Sequence, residues 1–291
     1  MNAIMALRKK LNKGKGIDGP GAQLVIGIIL VVTIMIVLLP ILITVLLSLK
    51  TNYEISMGIW KLPEQFKWGN WSIGFNQLLP NMLNSIAICL LSTAGIVFFS
   101  SISAYVFTRH SFPGKEALFY AIIALMIVPA VLTLTPSYVL MIDLGIKNTW
   151  WALLFHYIAG GQIGAIFLLR TFMSQQPGEL FEAAKMDGAG EWVMYAKIAV
   201  PLAIPIISVQ AVTSFSSIYN DFLWPILVID EQSKQTLMPV LRALTNQTQG
   251  EYREQGISYA MFLLSGLPLV FTTLFGLRYF INGDFASGMK L

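Results

Sequence analysis

The sequence predicts an all-α fold, a polytopic bundle of six transmembrane helices, and three observations carry that expectation. Of 291 residues, 56% are hydrophobic and only 12% are charged, against about 25% charged in an average soluble domain. The charges also avoid long stretches. None lies between Gly19 and Leu49, and uncharged runs recur at Trp68–Thr108, Ala117–Ile142, Asn148–Leu169, Ile198–Asn220 and Gln255–Leu277. A hydrocarbon core needs roughly 20 apolar helical residues to cross it, because each unpaired backbone group in lipid costs several kcal/mol. This composition excludes an ordinary water-soluble enzyme.

Residues 1–21 form a basic tail carrying Arg8, Lys9, Lys10, Lys13 and Lys15, and the first span follows at 22–49. The pair imitates a signal peptide, yet the apolar run far exceeds the roughly 7–15 residues of a cleavable core, so it reads as an uncleaved span. The remaining spans are expected at 79–108, 117–142, 149–170, 202–229 and 256–281, in a single domain covering 1–291. Three connections, 50–78, 171–201 and 230–255, exceed the roughly 12–15 residues of an ordinary loop. The first carries Trp, Phe and Tyr among few charges and is expected to fold back onto the membrane. The last mixes Glu231, Lys234, Arg242, Asn246, Gln249, Glu251 and Arg253, as a water-facing docking surface would. The chain shows neither an internal repeat nor a low-complexity tract.

Six spans place both termini on one side. With both in the cytoplasm (N-in, C-in), 12 of the 19 Lys and Arg fall inside, the distribution that orients helices in a bilayer. The net charge of +4 is thereby explained without nucleic acid. Trp60, Trp68, Trp71, Trp150, Trp151 and Trp224 fall at or beyond the outer face, and only Trp192 inside. An interfacial belt accounts for them; rings facing a sugar-handling surface are the sharper alternative.

The inner connection reads as a helix over 178–187, a turn, and a second helix from Glu191. Pro177 suits the first turn, Glu179 and Glu182 the positively polarised N-terminus, and Gly188 with Gly190 the stop. Glu182-Ala183-Ala184, three residues, Gly188, nine residues, Ile198, one residue, Val200 and Pro201 resembles the EAA motif of ABC-importer permeases, with Val200 in place of Leu. Pro177-Gly178-Glu179-Leu180, Asp187-Gly188-Ala189, Gly145 to Thr149 and Asn220 to Pro225 resemble the carbohydrate, maltose-type branch of that family. The tail over 283–290 departs from the family's glycine pattern at Ser287.

The resemblance implies a cytoplasmic coupling segment, 177–201, in which Glu179, Glu182, Ala183, Ala184, Asp187, Gly188 and Pro201 engage an ATP-binding subunit. It implies a permease subunit of an ATP-dependent sugar or oligosaccharide importer, multi-pass in the bacterial cytoplasmic membrane and working by alternating access. The implied partners are a second homologous permease forming a heterodimer, two ATP-binding subunits, an extracytoplasmic solute-binding protein and membrane lipid. ATP and Mg belong to the ATPase subunits and no cofactor to this chain, which lacks a Gly-x-x-x-x-Gly-Lys-[Ser/Thr] phosphate loop. A non-sugar solute carried by the same architecture is one alternative reading. An ion-coupled secondary transporter is another, but it calls for paired repeats and midplane coupling groups. A membrane enzyme would need convergent acid, base or metal groups, and the sequence offers none.

Asp221, beside Asn220, is the one acid inside a span, and both pathway lining and structural hydrogen bonding fit it. Asn81, Asn84 and Ser85, Ser214, Ser216 and Ser217, and Trp224 are candidates for the same path; Ser and Thr otherwise bond to carbonyls of their own helices. Cys89 reads as a packing residue. His110 and His156 fall on opposite sides of the membrane, which argues against a metal site.

This topology is testable with thiol reagents in a Cys89→Ser background. A cysteine at Gln247 is expected to react with an impermeant reagent from outside, and one at Gly190 only from inside. The reverse pattern would overturn the orientation.

Overall fold

A computed structural model describes residues 20–248 and 254–288. The basic tail, Gln249, Glu251, Arg253, Lys290 and Leu291 lie outside the described residues, as do the side chains of the 279–288 tail segment. The described residues are helical, without a strand. In chain order the helices are α1 (Pro20–Ser48), α2 (Asn52–Met57), α3 (Gly69–Arg109), α4 (Lys115–Ala124), α5 (Ala130–Asp143), α6 (Trp150–Met173) and α7 (Gly178–Met186). There follow α8 (Glu191–Met194), α9 (Val200–Leu202), α10 (Ile204–Tyr219), α11 (Leu223–Val228), α12 (Leu237–Thr248) and α13 (Gln255–Gly288).

Four helices, α1, α3, α6 and α13, are long and apolar enough to cross a membrane unbroken, and the count reaches six if two bent pairs are each one span. The first pair covers the span expected at 117–142 and is bent. α4 passes through a short 3-10 turn and α5 leaves at 100°. Pro129 has no N–H to continue the ladder and drives Val128 into an extended conformation (φ −72°, ψ 117°). The second pair, Glu191–Leu202 with Ile204–Tyr219, overlaps the span expected at 202–229. The α8–α9 stretch, joined by a π turn over Tyr195–Ala199, meets α10 at 76°, where Pro201 and Pro205 bracket the fully buried Ala203. α10 then stops at Tyr219, and a separate helix begins at Leu223.

The core forms where α3 packs along α6, with α10 and α13 closing the other side of α3. Ile88, Cys89, Ile96, Leu153, Ala165, Phe215, Tyr219 and Met261 interlock there, each nearly or wholly buried. α1 packs along α13, and Leu24 to Leu42 leave their apolar side chains exposed, the surface a lipid-facing helix presents.

The 230–255 connection is not a loose loop. At its start, Asn81 donates to the Gln232 and Gln235 carbonyls at 2.8 and 3.0 Å, and Asn84 to those of Ser233 and Gln235 at 2.7 and 3.1 Å. The Ser85 hydroxyl accepts from Leu237 N at 2.7 Å, and Trp150 Nε1 donates to the Lys234 carbonyl. Asn148, held at φ 61°, accepts from the backbone N–H of Asp230 and Glu231. Lys147 pairs with Asp230 at 3.0 Å, and that bond, with a second from Tyr138, holds its ammonium above the ordinary lysine pKa. α12 follows, burying Leu237, Val240, Leu241 and Thr245 and exposing Arg242 and Asn246. The 50–78 connection contains α2, started by a reciprocal Thr51–Glu54 capping box.

Lys50 is buried at 1% exposure, its ammonium donating to the carbonyls of Gly58 and Ile59. Asn70 bonds the Ser48 and Lys50 carbonyls beside it. α13 crosses this knot at Gly256, where a Cβ would lie 2.6 Å from the Lys50 carbonyl oxygen. Gly256→Ala is therefore expected to cost about 1–3 kcal/mol by overpacking, read as a lowered thermal midpoint in detergent. Gly266→Ala, where a methyl meets open space, is expected to show no loss.

Candidate functional site

Two regions of the bundle combine exposed polar chemistry with a rigid frame. The first is the end where α3 and α6 terminate. Its short helix α7 starts after Pro177, with Glu179 in the first turn. It ends in a Schellman motif, in which Ala189 N donates to the Ala184 carbonyl at 2.9 Å and Gly188 N to that of Lys185 at 3.1 Å. Gly188 adopts φ +80°, a left-handed conformation that costs other residues roughly 1–2 kcal/mol. Gly190 then caps α8.

α7 is fastened by one face. Phe181, 7% exposed, inserts beside Tyr105, Met173, Met194, Tyr195 and Ala199. The Arg109 guanidinium lies 3.7 Å over its ring and donates to the Met173 and Gln176 carbonyls at 3.3 and 3.0 Å. Arg109 thus closes the C-terminus of α6, whose last carbonyls have no helical partner. Gln176 Nε2 in turn donates to the Ala199 carbonyl, two residues before Pro201. Tyr105 and His110 both reach Glu191 Oε2, at 2.9 and 3.2 Å, and Ser101 and Tyr195 share a hydroxyl bond of 2.7 Å.

The opposite face of α7 is free in this chain. Glu179, Glu182, Ala183 and Asp187 are exposed, Ala184 is half-buried, and Met186 is 87% exposed. Glu182 borders a cleft of about 220 Å³ with Lys185, Glu191, Arg109 and Tyr105. Pro201 is exposed on α9. Sequence reasoning missed Phe181 and Gln176 and counted Arg109 only as an orienting charge; an arginine at the end of a span carries no signal that it serves a neighbouring helix.

The second region lies at the break between α10 and α11. Asp221 Oδ1 accepts from Leu223 N at 3.0 Å and Trp224 N at 3.4 Å, capping α11. Its Oδ2 accepts from the Tyr157 hydroxyl at 2.8 Å, so its bonds are to neutral donors. Asp221 and Asn220 border a cavity of about 530 Å³ with Tyr157, Ser216 and Ser217. The other two pathway candidates, Asn84 and Trp224, both have partners within the chain. Asn84 is engaged in holding the 233–235 backbone, and Trp224 is 1% exposed, donating to the Ala152 carbonyl at 3.2 Å and stacking on His156 at 3.9 Å. Trp60, Trp68 and Trp151 remain exposed. Among the described residues no three His, Cys, Asp or Glu side chains gather as metal ligands would.

With this geometry in view, comparison with known proteins is informative. Residues 96–282 match the family described as binding-protein-dependent transport system inner membrane component. MalG of Escherichia coli K12, a maltose/maltodextrin transport system permease protein, is 27% identical over 284 residues, covering 90% of this chain and 94% of that protein. NgcG of Streptomyces coelicolor, a diacetylchitobiose uptake system permease protein, is 25% identical over 244 residues, covering 83% and 80%. A chain from the crystal structure of a bacterial ABC transporter involved in import of the acidic polysaccharide alginate superposes with a TM-score of 0.79 at 18% identity. That match covers 91% of this chain and all of the other, and shows a shared fold.

The fastening of α7 predicts its own failure. Phe181→Ala removes the buried ring, at a cost of about 3 kcal/mol for a core phenylalanine, and Arg109→Met removes the bonds above it. Both are expected to speed tryptic cleavage after Lys185 at least tenfold while the span helices stay protected. Unchanged cleavage would show that α7 is held otherwise.

Proposed function

We propose that this chain, which belongs to the family of binding-protein-dependent transport system inner membrane components, is the permease subunit of an ATP-dependent importer of a sugar or oligosaccharide. It is a multi-pass membrane protein and a permease component of an ABC importer. The sugar assignment draws on the maltose and diacetylchitobiose relatives. Solute arrives from an extracytoplasmic binding protein, a second homologous permease completes the path, and two ATP-binding subunits with ATP and Mg drive alternating access.

The observation that carries this reading is the two-faced α7. One face is fixed to the ends of α3, α6 and the α8–α9 stretch, and the other presents Glu179, Glu182, Ala183 and Met186 outward. A helix so fastened passes a push to the spans behind it, because packed elements move as units. Ala183 permits close approach of a partner, and Glu182 offers a carboxylate to a basic group across the joint. In this reading α7 lies in the cytoplasm and α12 outside.

The test is made on the assembled complex. Glu182→Lys reverses the charge at one position of the exposed face without touching Phe181, and Gly188→Pro removes the left-handed turn. Both are expected to leave membrane insertion intact, to reduce co-purification of the ATPase subunits severalfold, and to lower ATP-dependent sugar uptake below about one tenth of wild type. Wild-type uptake with stable assembly would refute the coupling role.

A further inference from the structure

Along α10, Gln210, Thr213, Ser214 and Ser217 recur at intervals of three and four, which sets them on one face of a helix that is otherwise largely apolar, and Asp221 follows in the break beyond its end. Two cavities, of about 530 and 540 Å³, open on that face and share Tyr157, Ser217 and Ile218 in their walls. Each lies within the ~300–1,000 Å³ range of small-molecule sites.

Many helix hydroxyls of the bundle turn back on their own backbone, although those of Ser92 and Thr93 on α3 do not. Thr44, Ser100, Thr108, Thr171, Ser208 and Thr272 each donate to the carbonyl four residues earlier. Thr213 and Ser217 make no hydrogen bond among the described residues, and Ser214 accepts from Gln210 at 2.8 Å. These hydroxyls are left for whatever enters the cavity. The Tyr157 ring supplies an aromatic wall to both cavities, its orientation fixed by the bond to Asp221.

Among the described residues neither wall contains Lys or Arg, His156 is the one basic side chain, and Asp221 is the only carboxylate. Its three donors are neutral, so they disperse the charge without cancelling it. Hydroxyls, an amide and an aromatic face recognise a neutral polyhydroxylated solute, whereas an anion meets a like charge at short range in a partly desolvated cleft.

We propose that this face of α10 is a solute-contacting, charge-selecting stretch of the path, which admits neutral saccharides and excludes acidic ones through Asp221. The saccharide identity rests on the function proposed above; the charge selection does not.

The experiment uses the assembled complex carrying Cys89→Ser and Ser217→Cys, treated with cationic and anionic methanethiosulfonates of matched size. Rates are normalised to the ratio for a free thiol in solution. Both reagents are expected to reach the cysteine, with the cationic one favoured roughly fivefold or more beyond the free-thiol ratio, the order expected of one nearby charge in a wet cleft. Asp221→Asn is expected to return the ratio toward the free-thiol value. Gln210→Glu, which adds a second carboxylate to the same face, is expected to raise it, and this variant carries the test if Asp221→Asn does not assemble. A cysteine that neither reagent reaches, or a ratio unmoved by either change, overturns the proposal. Labelling as expected with no ATP-dependent uptake of any neutral oligosaccharide supports the charge selection and overturns the sugar reading alone.

Discussion

In hydrocarbon, each backbone N–H and C=O must find a partner within the protein, and the rest of this structure depends on how that demand is met. A helix meets it internally, which is why the spans are helices. At three places where helices end or distort, a specific side chain takes up backbone groups. Asp221 takes the first free N–H groups of α11, Arg109 takes carbonyls at and beyond the end of α6, and Gln176 reaches the Ala199 carbonyl beside the π turn. These turns thus carry side chains whose role is to complete the backbone hydrogen bonding.

α3 joins the two ends of the molecule. At 41 residues it extends about 60 Å at 1.5 Å per residue, longer than a hydrocarbon core is thick. At one end Asn81, Asn84 and Ser85 clasp the segment that leads into α12. At the other, Tyr105 and Arg109 hold α8 and α7. A single packed helix thus carries both the fastening of the proposed coupling element and that of the opposite surface, with the α10 cavities between them. The close fit of Gly161 against Ile96 and of Gly95 against Ile158 leaves α3 and α6 little room to slide, so they are suited to move together.

What could be read in the chain beforehand follows the range of the forces involved. α1 and α6 were legible because an unbroken apolar run is a local property. α7 was legible because Pro177, Glu179 and Gly188 act on their own backbone. The ten additional residues at the start of α3 were not, since Gly69 to Leu78 mix Asn, Gln and Gly with Trp and Phe and show no membrane-like run. The bend at Pro129 was hidden in the same way, because an apolar window averages over a break that depends on one missing N–H. Asn84 and Trp224 read as pathway candidates because a polar or amphipathic group in a span suggests one, and the sequence does not show the bonds they make. Their partners, the Ser233 carbonyl 149 residues away and the Ala152 carbonyl 72 residues away, exist only in the folded chain.

The sequence by itself determined that this is a helical membrane protein and, through the spacing from Glu182 to Pro201, pointed to its family, because hydropathy and helix capping are written in residues close together. Tertiary structure alone decided which polar side chains are used up in holding the fold and which remain available. Asn84 holds a distant loop, Phe181 is buried so that Glu182 can face outward, and Thr213 and Ser217 line the cavity without a hydrogen bond among the described residues. A hydrogen-bonding group has the same chemistry in the sequence whether or not it is satisfied; only the arrangement of the neighbouring helices decides that.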